Sequence, residues 1–263
     1  MWWAAYVAAG AIVGVFAGLL GVGGGMTLVP VLATMFALQH FAPDHVVHMA
    51  LATSMASIIF TSGASVREHW RLGGVNLALV KQLAPGMVVG SLMATVASAW
   101  IPQRALALCF AAIVYAGATQ ILLNRKPAPG RTMPSAVVVF FIAMVIGVIC
   151  GLVSAGGAFL TIPFMLWCGV PMRTTIGTAA AIGIPIAVVG TTGYILSGLH
   201  VVGMPAFSIG FILLPALIGL VCGSVVTAPY GARLAHRLPV PTIKRIFALL
   251  LYALATKMLV TYW

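Results

Sequence analysis

GLLGVGGGMTLVPVL, residues 18–32, is the stretch that decides the fold, because it places a cluster of glycines and a proline inside an apolar run of helical length. Glycine is about 1 kcal/mol and proline about 3 kcal/mol less favourable than alanine inside a helix. The cluster therefore predicts a helix break at residues 21–25. In a bilayer, backbone groups freed by a break find no water, so broken helices persist only where protein or a polar cavity surrounds them.

The same pattern recurs in the second half of the chain, as GLVSAGGAFLTIPFM at residues 151–165. Gly156, Gly157 and Pro163 stand 133 positions after a glycine pair and Pro30 of the first stretch. Paired interruptions in the two halves of a membrane chain are typical of a transporter binding site. The repetition therefore predicts one site built from both halves.

The composition is that of an integral membrane protein. The chain is 62% hydrophobic and 6% charged, whereas a soluble domain carries about 25% charged residues. Its net charge of +11 lies in short segments between apolar runs, where cations set orientation in the membrane, so nucleic acid is not an expected partner. The apolar run at the N-terminus continues beyond signal-peptide length and is expected to be a retained first helix.

Apolar runs long enough to cross a bilayer divide the chain into two halves of four runs each. The runs lie near residues 3–38, 47–66, 75–100, 104–123, 135–170, 174–198, 203–228 and 240–262. The halves also match beyond the glycine stretches, since residues 101–115 parallel residues 238–252. We predict a first transmembrane repeat at 1–123, a linker at 124–134 and a second transmembrane repeat at 135–263.

The first run of each half is too long for one crossing. A straight helix over residues 3–38 would be about 54 Å long, against a hydrocarbon thickness of about 30 Å. We predict a helix at 3–20, a turn at 21–25 and a return helix at 26–38, with residues 135–170 divided in the same way. Each repeat then has one re-entrant helical hairpin and three crossings, so the second repeat is inverted. The predicted fold is an all-α integral membrane protein of two inverted repeats.

The distribution of Lys and Arg supports this topology, since cytoplasmic loops are rich in both. Eight plain crossings would divide the cations seven against six, whereas two re-entrant hairpins divide them eleven against two. We therefore expect a multi-pass protein of the cell (inner) membrane with both termini extracytoplasmic.

Side chains for chemistry are few. The chain has two carboxylates, Asp44 and Glu68, both in predicted loops, and this disfavours cation transport. No buried serine has an obvious histidine partner in its own run, so no catalytic residue is predicted and the protein is not expected to be an enzyme. The spacing of His45 and His48 is too weak to indicate a metal site, and the four cysteines are scattered singly, so no cofactor is expected. His48 alone is considered for proton coupling.

The helix breaks themselves are natural seats for a small anion, because helix N-termini present unpaired N–H groups and partial positive charge. Hydroxyls one helix onward could add donors. The predicted substrate-binding residues are Gly23, Gly24, Gly25, Met26, Thr53, Ser54, Gly156, Gly157, Ala158, Phe159 and Thr178. Two other interpretations remain open: glycines used only for helix packing, and hydroxyls bonded to their own helix backbone.

Helix packing is the expected role of four other glycines. Gly14, Gly18, Gly147 and Gly151 recur at four-residue spacing before the breaks, as small residues do at helix–helix contacts in membranes. A variant such as Gly14→Ala is therefore expected to disturb transport much less than substitution of Gly24 or Gly157.

The quoted stretches resemble the sulfite exporter TauE/SafE family of membrane permeases. The likeness is carried by GLLGVGGGMTLVPVL, by ALATS at 50–54, and by the second copy GLVSAGGAFLTIP with GTAAA at 177–181. It implies export or uptake of small sulfur-containing anions such as sulfite or an organosulfonate. The second copy has Ser154 and Ala158 where the first has glycine, so an asymmetric site is expected.

The resulting prediction is a secondary transporter that works by alternating access, with the lipid bilayer and a small anion as partners. Two alternatives from other classes stay open, a passive anion channel and a membrane subunit or enzyme acting with a soluble partner. The sequence also leaves open whether the chain forms a homodimer.

Overall fold

The computed structural model describes residues 2–20, 24–123, 132–201, 203–235 and 240–262. Most of the predicted linker, residues 124–131, lies outside this set. So do Gly21, Val22 and Gly23 at the centre of the first predicted break.

The first half is helical throughout, and its helices begin and end near the predicted runs. They are α1 (Trp2–Leu20), α2 (Gly25–Leu38), α3 (Val46–Arg71), α4 (Leu77–Ala97) and α5 (Gln103–Leu123). Single turns of 3-10 helix at Pro43–His45 and Ser98–Trp100 precede α3 and follow α4.

The second half repeats this order with one addition, a short β-hairpin. Its elements are α6 (Ala136–Leu152), α7 (Ala158–Trp167), α8 (Met172–Gly198), β1 (Ser208–Ile209), β2 (Ile212–Leu213), α9 (Leu214–Ala235) and α10 (Val240–Tyr262).

Both long runs are interrupted as predicted. The first helix of each half ends at Leu20 or Leu152, and a new helix begins at Gly25 or Ala158. The expectation that a run begins at residue 203 is wrong, because 203–213 form a loop and hairpin. The backbone has positive φ angles in this segment, at Gly203, Phe207 and Gly210. Such angles are incompatible with a right-handed helix.

Seven helices in the described ranges are long and apolar enough to cross a membrane. They are α1, α3, α4, α5, α8, α9 and α10, while α2, α6 and α7 are shorter apolar helices. The fold is thus that of an all-α multi-pass membrane protein.

Glycines bring helices of opposite halves into backbone contact. A Cβ on Gly14 of α1 would lie 2.7 Å from Ser224 Cα of α9, and one on Gly147 of α6 would lie 2.7 Å from Met87 Cα of α4. Gly18 and Gly151 meet the same two partner helices one turn later. These close approaches agree with the packing role that the sequence indicates.

Corresponding helices of the two halves run antiparallel. A Cβ on Gly183 of α8 would lie 3.1 Å from Ser62 Oγ of α3, and one on Gly190 would lie 2.9 Å from Met55 Cε. The residue numbers thus fall along α3 as they rise along α8.

The α5–α10 pair has the same relation. Tyr115 Oη lies 2.5 Å from Thr256 Oγ1, and Thr119 Oγ1 lies 2.5 Å from Tyr252 Oη. We call these four residues the Tyr–Thr quartet. Each half supplies one tyrosine and one threonine to it.

Two further contacts fix where helix ends lie. Gln39, the residue after α2, donates from Nε2 to Tyr6 Oη at 2.6 Å, so the end of α2 lies beside the first turns of α1. The loop after α3 lies against the start of α8, since a Cβ on Gly74 would be 3.3 Å from the Arg173 carbonyl oxygen.

Candidate functional site

Each break ends in a glycine with a left-handed backbone. Gly24 (φ 76°) precedes α2 and Gly157 (φ 85°) precedes α7. Only glycine adopts such angles without strain. Neither helix has a side-chain N-cap, and the first turn of a helix has N–H groups without intrahelical acceptors. Both breaks therefore present backbone donors.

The two breaks meet in the interior. A Cβ on Gly25 would collide with the carbonyl oxygen of Ser154, so no other residue fits at that position. Ser154 itself has a positive φ of 48°. Glycine at position 25 is thus required by contact with the opposite half, and this contact joins the two breaks.

One segment of α3 holds both breaks. Ser154 Oγ donates to the Leu51 carbonyl oxygen at 2.6 Å, and Ser54 Oγ donates to the Gly25 carbonyl oxygen at 3.3 Å. All of these residues are buried. Of the hydroxyls predicted from the sequence, Ser54 is the one that contacts a break.

The second break is supported by side chains that the sequence reasoning missed. Tyr194 Oη donates to the Gly151 carbonyl oxygen at 3.0 Å, and Met87 Cε would lie 3.1 Å from a Cβ on Gly157. The one feature of the sequence that could have indicated these two residues is that each lies in a helix that comes after a break. The side chains that contact the two breaks therefore differ.

The apolar residues predicted to bind the substrate are buried. Met26 and Ala158 are fully buried, and Phe159 is nearly so. A Cβ on Gly117 of α5 would collide with the Phe159 ring, so this ring packs directly on α5. The Gly156 carbonyl oxygen lies against α8, 2.7 Å from where a Cβ on Gly183 would be.

Thr53 and Thr178 have a different role from the two considered in the sequence analysis. Thr53 Oγ1 accepts from the Leu213 N–H at 3.1 Å, and Thr178 Oγ1 accepts from the Asn76 N–H at 3.0 Å. Leu213 and Asn76 are the residues directly before α9 and α4. The two hydroxyls therefore satisfy backbone donors at equivalent helix starts.

We expect Thr53→Val and Thr178→Val to lower stability while leaving the substrate concentration for half-maximal flux unchanged. Each variant leaves a backbone N–H without its acceptor, at a cost of about 1–3 kcal/mol. Thermal unfolding in detergent, with anion flux measured in parallel, tests this. An increase of about tenfold in the half-maximal concentration without a loss of stability would instead make these hydroxyls substrate ligands.

His48 lies at the start of α3, packed between two other elements. Its Nε2 is 3.1 Å from the Ser98 carbonyl oxygen, and its ring stacks on Phe211 of the hairpin at 5.1 Å. Because a carbonyl oxygen only accepts, Nε2 carries the proton. Nδ1 is buried without a hydrogen-bond partner and is the atom that could accept a proton.

Charged side chains do not contribute to the contacts described at the breaks. Within the described residues there is one salt bridge, between Arg233 and Glu68, and it lies at the last turn of α3. No group of three or more potential metal ligands occurs in that part of the chain either. The arrangement is chemically suited to a small anion held by backbone N–H groups, hydroxyls and helix dipoles.

Comparison with known proteins identifies the family. The family described as sulfite exporter TauE/SafE matches residues 6–258. A probable membrane transporter protein of Haemophilus influenzae is 31% identical over 250 residues, covering 95% of each chain. The probable membrane transporter protein YdhB of Bacillus subtilis is 25% identical over 240 residues, covering 89% of this chain and 90% of its own.

No solved structure matches this chain. The family match spans nearly all of the sequence, including both helix breaks and the helices that hold them. The chain therefore belongs to the sulfite exporter TauE/SafE family and is a membrane transporter.

Proposed function

We propose that the protein is a secondary transporter for a small sulfur-containing oxyanion, such as sulfite or an organosulfonate, bound where the two helix breaks meet. The observation that carries this proposal is the contact of Gly25 with Ser154. It joins the first residue of α2 to Ser154, which lies four positions before α7 begins, and neither helix has a side-chain cap at its N-terminus. Each such terminus is equivalent to about half a positive charge.

The chemistry of the site favours a compact oxyanion. Backbone N–H groups at helix N-termini hydrogen-bond to oxyanion oxygens, and the neighbouring apolar side chains Met26 and Phe159 are buried. The residues proposed to bind it are the break glycines, while Ser54, Thr53 and Thr178 hold the backbone around them.

We propose that α1–α2 and α6–α7 are re-entrant hairpins and that the two repeats, 1–123 and 135–263, are inverted. The antiparallel α3–α8 and α5–α10 pairs support this, because eight plain crossings would make these equivalent helices parallel. The Gln39–Tyr6 hydrogen bond supports it too, since it returns the end of α2 to the side where α1 begins. In this topology Glu68 lies on the cytoplasmic side of the inner membrane, with both termini opposite.

Cysteine labelling tests the topology. After the four native cysteines are replaced, Leu72→Cys and Arg173→Cys are expected to react with a membrane-impermeant maleimide from the same side. Trp100→Cys is expected to react from the other side. All three positions are exposed. Plain crossings would place residues 72 and 173 on opposite sides, so labelling from opposite sides would contradict the inverted arrangement.

We propose His48 as the proton-coupling residue, because its buried Nδ1 can take up a proton without losing the Nε2 contact to Ser98. His48→Gln is expected to remove the stimulation of flux by a pH gradient while anion exchange without a gradient continues. Flux in liposomes with and without a gradient measures this. The matched control is His45→Gln, whose ring lies 6.3 Å away and is less buried. A gradient response that survives in His48→Gln would contradict the assignment.

Flux in proteoliposomes tests the proposed function itself. Sulfite, sulfate, thiosulfate, sulfoacetate and chloride would be compared with and without a pH gradient. A transporter is expected to select sulfite or a sulfonate and to show faster efflux of one anion when another is present on the opposite side. A passive channel would lack this trans-acceleration, and a membrane subunit would carry none of the anions alone.

A further inference from the structure

The α3–α9 and α4–α8 interfaces are equivalent in the two halves. Thr53 of α3 accepts from the residue before α9, and Thr178 of α8 accepts from the residue before α4. Thr178 lies 125 positions after Thr53, and Leu213 lies 137 positions after Asn76. These two offsets identify which residues correspond along the rest of each interface.

By these offsets, Glu68 of α3 corresponds to Gly193 of α8, and Arg233 of α9 corresponds to Val96 of α4. Both pairs are in contact. Arg233 Nε donates to Glu68 Oε1 at 2.9 Å, and a Cβ on Gly193 would lie 3.5 Å from the Val96 backbone nitrogen. The same position is therefore joined by an ion pair in one interface and by close backbone packing in the other.

The α4–α8 interface is closed by packing. A Cβ on Gly193 would collide with Thr95 Oγ1, and one on Gly190 would lie within 3.0 Å of Met55 Cε and Ser91 Oγ. These close approaches pack the two helices tightly at both positions.

The α3–α9 interface is polar along its length. Thr61 Oγ1 donates to Ser224 Oγ at 2.8 Å. Along α3, Ser65 follows Thr61 by one turn, and Glu68 of the ion pair follows it by about two turns. The Ser65 hydroxyl is buried without a hydrogen-bond partner, and the residue is 2% exposed. The Ser91 hydroxyl of the α4–α8 interface is also buried without a hydrogen-bond partner, so the ion pair is the feature that distinguishes the two interfaces.

The ion pair lies at the outer end of this polar row. The Glu68 side chain is 12% exposed and that of Arg233 is 55% exposed. A guanidinium has five donors, and one of them, Nε, contacts Glu68. An oxyanion that binds Arg233 through this same Nε edge would take the place of the carboxylate.

We propose that the α3–α9 interface is the passage between the anion site and the side of the membrane on which α3 ends, and that the Glu68–Arg233 ion pair is its latch. This proposal rests on the proposed function. An arriving anion competes with Glu68 for Arg233, which opens the interface and exposes Ser65 and Thr61. The α4–α8 interface stays closed during this step, because packing rather than an exchangeable ion pair joins it.

Thiol accessibility tests the latch without any substrate. Ser65→Cys would be introduced into a version without the four native cysteines, and its reaction with a membrane-impermeant maleimide timed with and without Glu68→Gln. Because exposed ion pairs are weak, we expect the latch variant to react about two- to fivefold faster. The matched control is Ser91→Cys, an equally buried hydroxyl position at the packed α4–α8 interface, which is expected to stay unreactive in both.

Charge reversal keeps the test independent of folding defects. Glu68→Arg and Arg233→Glu are each expected to accelerate labelling of Ser65→Cys, and combining them is expected to restore the slow rate. Unchanged labelling in Glu68→Gln, equal acceleration at Ser91→Cys, or no restoration in the double variant would each overturn the latch. The labelling rates do not depend on anion flux. Absence of flux would therefore refute the proposed function, whereas the labelling rates alone decide whether the ion pair is a latch.

Discussion

Gly25→Ala is expected to abolish anion flux while the protein still inserts in the membrane. The added methyl group would collide with the Ser154 carbonyl oxygen, a backbone atom that cannot move aside without moving the second break. The start of α2 and the second break would then separate at the proposed anion site. Misplacement of about 1 Å can reduce a rate by about 100-fold, and we expect a loss of at least that size in liposome flux.

The matched control for this variant is Gly63→Ala in the middle of α3. A Cβ on Gly63 would have no heavy atom within 4 Å, and alanine is the better helix former, so flux and expression should equal those of the wild type. Wild-type flux in Gly25→Ala at normal expression would mean that the breaks are packing features and that the anion binds elsewhere.

Gly14→Leu is expected to prevent assembly rather than to slow transport. A Cβ at this position would lie 2.7 Å from both Cα and the carbonyl oxygen of Ser224, so a larger side chain would push α1 away from α9. Even Gly14→Ala is expected to cost about 1–3 kcal/mol, as overpacked interiors do. The sequence predicts a packing role for Gly14 but not this stability cost, because spacing alone does not reveal that the neighbour is backbone.

Thermal unfolding and gel filtration in detergent measure this effect. We expect Gly14→Leu to yield aggregated or absent protein and Gly14→Ala to unfold at lower temperature than Gly63→Ala. A fully stable, monodisperse Gly14→Leu protein would contradict the close α1–α9 packing described above.

The helix breaks were predictable from the sequence, because glycine and proline act on the backbone locally. The clusters before Gly25 and Ala158 stop a helix whatever surrounds them. Apolar run length likewise predicts where most crossings lie. The start of α9 was missed because the run from 203 stays apolar, although Gly203 and Gly210 adopt backbone angles that no helix contains.

The contacts within the site were not predictable, because they join residues far apart in the chain. Nothing near Thr53 indicates that its hydroxyl accepts from Leu213, which follows 160 positions later. The same limit applies to Gly14 and Gly25, which have the same intrinsic helix propensity. One packs on a helix backbone and the other on a break, and only the folded chain distinguishes these roles.

The Tyr–Thr quartet of α5 and α10 has a consequence for the history of the fold. Its two hydrogen bonds are reciprocal: the tyrosine of each half meets the threonine of the other. Contacts of this kind are isologous, as between two identical subunits related by a two-fold axis. Either half already contains both partners, since Tyr-Ala-x-Ala-Thr occurs at 115–119 and at 252–256. Two copies of a half-length ancestor would therefore form the same bonds as a symmetric dimer, before gene duplication joined them in one chain.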